Sequence, residues 1–328
     1  MSNVKRIGLL LACTVVMGIL SGCLPLPDTP DHAISVCSFN IQFLGNYKLK
    51  DDEALADLLE DFDVVIIQEL VAPPVDVAYP DGDSDTADPE AQEFFDAMTA
   101  KGFTYWLSEE DTGTNETIHQ AGTGTEWWVA FYKSDVVQKA LDLPHGFLGE
   151  DRSDHPDYER VPYAFSFRSS DSHADFVLIS VHLQPGSSAA DATRRKHEID
   201  AVADWISHTQ TSEQDFIILG DMNIEDCDEL ASFIPEGFRS LNSGCTPTNT
   251  NPNSQRPYDH VLFRPSPTSE MDQAYGFRVI DLVSELEDNW EGEVLYPGNP
   301  YDHGTFIQYF SDHNPVHFAL KPQQVDDD

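Results

Sequence analysis

Short apolar runs of strand length alternate along this chain with amphipathic stretches, and that alternation restricts the folds open to it. The runs are Ile34 to Phe39, Val64 to Ile67, Trp127 to Tyr132, Phe176 to Val181, Phe216 to Leu219, Val261 to Phe263 and Val316 to Leu320. Each is rich in aromatic or β-branched residues, which suit a pleated, packed surface. Helical patterns fall at 51–61, 90–101 and 189–208. In the last, Ile199, Val202, Ala203 and Ile206 share a face, while Arg194, Arg195, Lys196 and Glu198 decorate the others. No fixed-period repeat is visible. Interleaved strands and helices predict one α/β domain at 33–321, and a chain of 328 residues can bury a large core.

The first residues are an address. Lys5 and Arg6 precede an apolar run from Ile7 to Leu20, and Leu20-Ser21-Gly22-Cys23 reads as a bacterial lipobox. A run of about 14 residues is short for a membrane span and suits a signal peptide, here 1–22. Acyl chains on Cys23 anchor a protein stably when two or more are present, at about 0.8 kcal/mol per buried methylene. The Pro-rich stretch to residue 32 is then a tether, and the expected location is exported and membrane-anchored, with membrane contact through the lipid only. Export leaves Cys37, Cys227 and Cys245 in the mature domain. An oxidising compartment permits a bridge between Cys227 and Cys245, worth about 3 kcal/mol on the chain-entropy model. Cys37, inside an apolar run, reads as a buried free thiol.

Charge narrows the partners. The chain carries 18 basic against 58 acidic residues, a net charge of −40. That field opposes an extended, non-specific grip on nucleic acid, which needs Lys and Arg to displace counterions. A phosphodiester substrate stays open if metal ions and a few local cations neutralise the phosphate. Asp81, Asp83, Asp85 and Asp88 within the acidic loop 81–92 sit at calcium-loop spacing, although Thr86 and Gln92 replace the glycine and closing glutamate of an EF-hand. A solvated loop is the preferred reading, with a structural Ca²⁺ as the other. The tail 322–328 is acidic and is expected to be disordered.

Acid, amide and imidazole groups gather at predicted strand ends, where sites on α/β sheets form. Asn40, Gln68-Glu69, His182, and Asp221 with Asn223 follow strands; Asp259 and Asp312-His313 precede them. Asp-His pairs also occur at 31–32, 154–155 and 302–303; these carry no motif, and Asp302-His303 reads as loop surface. Asp259 matters at 259–260, with His260 structural or catalytic. Trp127 and Trp128 read as core.

These segments carry a resemblance. SFNIQFLG at 38–45, DVVIIQE at 63–69, EWWVAFYK at 126–133, YERVPYAFSF at 158–167, SVHLQPG at 180–186, ILGDMN at 218–223, PYDHVLF at 257–263 and SDHNPV at 311–316 resemble, in order, the endonuclease/exonuclease/phosphatase superfamily. Within it the chain is most similar to the deoxyribonuclease I family. The resemblance implies a four-layer α/β sandwich, two mixed sheets face to face with helices outside, and a monomeric metal-dependent phosphodiesterase acting on nucleic acid. It implies Asn40, Glu69 and Asp312 as oxygen ligands for Mg²⁺ or Mn²⁺. It makes His313 the base, oriented by Asp259, and His182 the acid, partnered by Glu126. Asp221 and Asn223 would position nucleophile and phosphoryl oxygen, and Arg160 would clamp the phosphate. Gln42 stands where similar nucleases place a basic residue, and no arginine follows Glu69 in the Leu70-Val71-Ala72-Pro73-Pro74 stretch, so duplex binding by the usual loops is not expected. A phospholipid or sugar-phosphate substrate, and a non-catalytic calcium-binding surface protein, are the other readings.

Overall fold

The computed structural model describes residues 33–79, 82, 84–113, 123–149, 156–172, 174–209, 213–266, 268, 270–291 and 301–321. The expected signal segment 1–22, Cys23, the expected tether, the tail and the pairs Asp31-His32 and Asp154-His155 lie outside them, as do Asp81 and Asp83. In chain order come β1 (Ile34–Leu44), α1 (Asp52–Leu59), β2 (Val64–Leu70), β3 (Val77–Ala78), β4 (Ser84–Asp85), α2 (Pro89–Ala100), β5 (Thr104–Leu107) and β6 (Trp127–Tyr132). Next are β7 (Val137–Lys139), β8 (Gly146–Phe147), β9 (Tyr163–Ser169), β10 (Asp175–His182), α3 (Ala189–Thr209), β11 (Phe216–Asp221), α4 (Cys227–Phe233), β12 (Arg239–Ser240) and β13 (Asp259–Phe263). Then follow β14 (Arg278–Val279), α5 (Leu282–Glu285), α6 (Glu287–Glu291), α7 (His303–Tyr309) and β15 (Val316–Leu320).

Two mixed sheets result. One runs β14-β15-β1-β2-β6-β5; the other runs β12-β13-β11-β10-β9-β7, with β8 paired to β9. Each has one parallel pair at its centre, β1 with β2 and β10 with β11, flanked by antiparallel neighbours. Strand alternation makes the layers. In β1, Ile34 and Val36 face the other sheet, while Cys37, Phe39 and Ile41 face the helices. Trp128, Phe165, Phe176 and Leu219 fill the core between the sheets. Leu55, Phe94 and Phe306 cover the first sheet's outer face, and Ile199, Val202 and Phe233 the second's. Three apolar layers between four structural layers are the expected α/β sandwich. Each fully buried large apolar side chain contributes roughly 1.5–3 kcal/mol.

Helix ends follow local chemistry. Asp88 caps α2 by accepting from Glu90 N and Ala91 N, with Pro89 at the first helical position. Its carboxylate also pairs with Lys48 at 2.6 Å, so this acid of the loop serves a cap and an ion pair. Asp302 is exposed, in keeping with its reading as loop surface, and its side chain also accepts from Gly304 N and Thr305 N and caps α7. Arg195 and Glu198 differ from their reading, being buried at 0% and 1% exposure rather than decorating a solvent face. They lie three residues apart on the stripe of Ile199 and Val202, where fixed hydrogen-bond partners satisfy them. The Cys227–Cys245 disulfide is present, with Cα atoms 5.8 Å apart, and joins the start of α4 to the loop before β13. Cys37 is a buried free thiol, its pKa pushed up by burial.

His260 packs on the outer face of the second sheet with Nδ1 3.0 Å from Ser240 Oγ. Burial lowers its pKa to about 4, and burial with Arg278 does the same at His317. In the unfolded chain each imidazole takes a proton near 6.5. The stability from holding them neutral is therefore present above that pH and lost as pH falls toward 4, up to about 3 kcal/mol for each. Urea midpoints in EDTA are expected to drop between pH 7 and 4.5, and the drop is expected to shrink in His260→Gln; an equal drop in both proteins contradicts the assignment.

Candidate active site

Parallel strands bring their C-terminal ends, and antiparallel neighbours their N-terminal ends, to one rim of the sandwich. Along that rim the inward face changes from apolar to polar. Ser38 Oγ donates to Gln68 Oε1 at 3.3 Å, and Gln68 Nε2 donates to Ser180 Oγ at 3.2 Å, so one buried amide bridges the two sheets. One step further out stand Asn40, Glu126, His182, Asp221 and Asp259, each at most 4% exposed.

Two imidazoles meet at one carboxylate oxygen. His182 Nε2 lies 3.5 Å and His313 Nε2 3.4 Å from Asp221 Oδ2. Each is backed through Nδ1 by a second carboxylate: Glu126 Oε1 at 2.6 Å from His182, and Asp259 Oδ2 at 2.9 Å from His313. Burial favours neutral imidazole, yet Glu126 raises the pKa of His182, and Asp259 and Asp221 raise that of His313 well above its ordinary value. Burial likewise opposes ionising Glu126, but His182 and Arg160 outweigh it and hold that carboxyl at about 2. Arg160 Nε lies 2.7 Å from Glu126 Oε1, and its buried Nη1 has no hydrogen-bond partner among the described residues.

The remaining residues depend on unusual backbone. Strict alternation would turn Glu69 toward the helices with Val65 and Ile67. Instead the pairing of β2 shifts register there and Glu69 takes φ +61°, a left-handed conformation costing roughly 1–2 kcal/mol. Its carboxylate then accepts from Asn40 Nδ2 at 2.9 Å and from Phe43 N at 3.1 Å. Asn40 also donates to Asp221 Oδ2 at 3.0 Å, while its oxygen takes Gln42 N–H; it reaches the cluster through nitrogen. Asn223, at φ +51°, donates its N–H to Asp221 Oδ1 at 2.8 Å and its amide to Leu183 O. Gly220 is demanded by closeness, because a Cβ there would stand 2.0 Å from Val181 O.

The donor set fits a divalent cation. Glu69, His182 and Asp221 place ligand atoms within 4.8 Å of one another, and so do Asp221, Asp259 and His313. Asp312 Oδ1 is buried without a hydrogen-bond partner among the described residues. Burial, with Glu126 and Asp312 adding to it against His182, lifts the Glu69 carboxyl to about 7. An orphaned oxygen and crowded carboxylates leave negative charge that a divalent cation would neutralise, and the carboxylate donors are oxygens of the kind hard divalent ions take.

Sequence reasoning missed the supports. Ser311 Oγ donates to Asn40 O at 2.7 Å, and Lys50 Nζ donates to Phe310 O at 2.5 Å; together they tie the 311–313 segment to β1 and its following loop. Glu198 accepts Gln184 N at 2.8 Å and Glu159 N at 2.5 Å, gripping the loops that carry His182 and Arg160. Arg195 donates to Gln184 O and Gly186 O and pairs with Glu229 at 2.7 Å. The signal was their spacing on the apolar stripe of α3.

A four-layer sandwich with carboxylate-backed histidines and cation-suited acids on one rim is the plan of a metal-dependent phosphoester hydrolase. Residues 37–313 match the model of the Endonuclease/Exonuclease/phosphatase family, and the chain belongs to that family. Among curated proteins, none matches it in sequence. Its fold is similar to that of TDP2 from D. rerio complexed with single strand DNA product, at 14% identity, TM-score 0.53, 88% of this chain and 98% of that one. It is similar to the mannosyl-6-phosphatase of Bacteroides thetaiotaomicron, at 16% identity, TM-score 0.52, 88% and 99%. The human Nocturnin catalytic domain is a third, at 13% identity, TM-score 0.53, 89% and 95%.

Proposed function

We propose that the chain is an exported, lipid-anchored phosphodiesterase, akin to deoxyribonuclease I, that hydrolyses nucleic acid by in-line attack of water. The observation that carries the reading is the convergence of two Nδ1-backed imidazoles on Asp221 Oδ2. His313 takes the proton of water at Nε2, with Asp259 holding the other nitrogen. His182 gives a proton from Nε2 to the leaving oxygen, with Glu126 behind it. Each such step is worth roughly a hundred- to ten-thousandfold in rate. Asp221 sits between the two and orients both; Asn223 fixes Asp221. Arg160 Nη1 takes a phosphoryl oxygen. Glu69 and Asp312 would hold a divalent cation, with Asn40 anchoring the carboxylates, and that ion would supply Lewis-acid polarisation of the phosphoryl group.

Export and anchoring rest on the basic start, the short apolar run and Cys23. A panel of single- and double-stranded DNA, RNA, a sugar phosphate and sphingomyelin with Mg²⁺ or Mn²⁺ tests the activity. Wild type is expected to cut nucleic acid, and His182→Ala and His313→Ala to lose at least a hundredfold; equal rates in all three would sink the reading. Labelling with an alkyne fatty acid in the source cells is expected to mark wild type and not Cys23→Ser.

A further inference from the structure

Beside the acids lie two half-buried aromatic rings, one on each sheet. Tyr47 is on the loop after β1, its ring edge-on to Phe43 at 5.5 Å, and Phe43 N–H is the group that binds Glu69. Tyr258 immediately precedes β13, its ring 5.5 Å from that of His313 and tilted by 34°. Neither hydroxyl has a hydrogen-bond partner among the described residues, so neither ring is held in place by its polar end. Both rings feel the same carboxylate. Burial raises both phenols; Asp312 and Glu69 add to this at Tyr47, and Glu225, Asp221 and Asp312 at Tyr258.

We propose that Tyr47 and Tyr258 are the two jaws of an aromatic clamp that takes the unpaired bases on either side of the scissile phosphate of single-stranded nucleic acid. This rests on the phosphodiesterase reading above and names its substrate class. Two physical facts favour stacking as the source of affinity. A net charge of −40 denies the chain the counterion-releasing grip that most nucleic-acid binders use. Base stacking on an aromatic ring does not need positive charge, accepts any base, and contributes about 1–3 kcal/mol per base. Duplex DNA keeps its bases stacked on each other, so a clamp of this kind selects single strands.

The test compares a short single-stranded DNA with a strand of equal length whose sugars lack bases, using the full chain with Mg²⁺. The base-bearing strand is expected to show a KM lower by about ten- to a hundredfold, the range that one or two stacked bases supply. Tyr47→Ala and Tyr258→Ala are each expected to shrink that ratio several-fold, and Tyr47→Phe and Tyr258→Phe to retain it. Because the ratio is taken within one protein, a loss of folded enzyme does not move it. KM for the base-bearing strand is expected not to rise as salt increases, since salt screens the repulsion from the acidic surface. Equal KM on the two strands in wild type, Ala variants that keep the ratio, or Phe variants that lose it as Ala does, each overturn the clamp alone. Cleavage of a sugar phosphate or phospholipid with no cleavage of either strand overturns the nucleic-acid reading and the clamp with it.

Discussion

Replacing Asp259 by Asn is expected to lower kcat about a thousand- to ten-thousandfold with little change in KM, the scale seen when an imidazole is held in the wrong tautomer. Asp259 Oδ2 lies 2.9 Å from His313 Nδ1 and, as a carboxylate, can only accept; it therefore keeps the proton on Nδ1 and leaves Nε2 open. An amide can turn its NH₂ toward Nδ1, which drives the proton to Nε2, the atom that must receive one from water. The charge matters as well. Asp259 is the first charge holding His313 well above its ordinary pKa against burial. The imidazole thus stays protonated to higher pH, and wild-type activity is expected to be lost as pH falls through that raised value, above about 6.5. Without the carboxylate the acid limb is expected to move to lower pH. Asn is nearly isosteric, and Asp259 N would still donate to Thr248 Oγ1 at 2.9 Å, so the strand end should persist. A pH profile of kcat/KM at saturating Mg²⁺ checks both effects; a variant within threefold of wild type at every pH contradicts the role.

The second large effect concerns charge at Glu69. Its carboxyl is lifted to about 7 by burial, with Glu126 and Asp312 repelling it and His182 opposing that rise. A divalent ion would reverse the imbalance, so metal should stabilise the folded chain as well as activate it. At a hundredfold excess over Kd the gain is about 2.7 kcal/mol, roughly 4–5 °C in Tm for a domain of this size. Glu69→Gln is expected to cut kcat/KM at least a thousandfold and to abolish most of that shift. Its metal-free Tm should lie near that of wild type, because losing one hydrogen bond to Asn40 or Phe43 offsets the relief of repulsion. Thermal scans with EDTA and with Mg²⁺ decide the matter. An undiminished metal shift in the variant would remove Glu69 from the cation site.

Much of this is legible in the sequence. Trp127 to Tyr132 and Val316 to Leu320 are strands with the bounds their apolar runs suggest. The helix expected at 189–208 ends one residue later. The run ending at Phe39 extends to Leu44 because polar Asn40 pairs with Gln68 and, past a register shift, Leu44 pairs with Leu70, which hydrophobicity could not announce. Asp302 escaped notice because a cap is recognised by the helix after it, and α7 is short. Arg195 and Glu198 looked like solvent decoration because charge argues for exposure. Only partners distant in sequence, Glu229 and the backbone at Gln184 and Glu159, make their burial tolerable.

What the sequence by itself determined is the inventory: which strands end in an acid, an amide or an imidazole, and, where alternation holds, which face each presents. Those are local properties, set by alternation with a period of two and by the ordered motifs. What only the tertiary structure decided is convergence. His182 and His313 come within 3.5 Å of the same Asp221 oxygen from different sheets, and Glu69 joins Asn40 through a left-handed residue that alternation would turn away. Such distances depend on how two twisted sheets pack and where their register slips. No single strand carries that information, because it lies in the contacts between strands far apart along the chain.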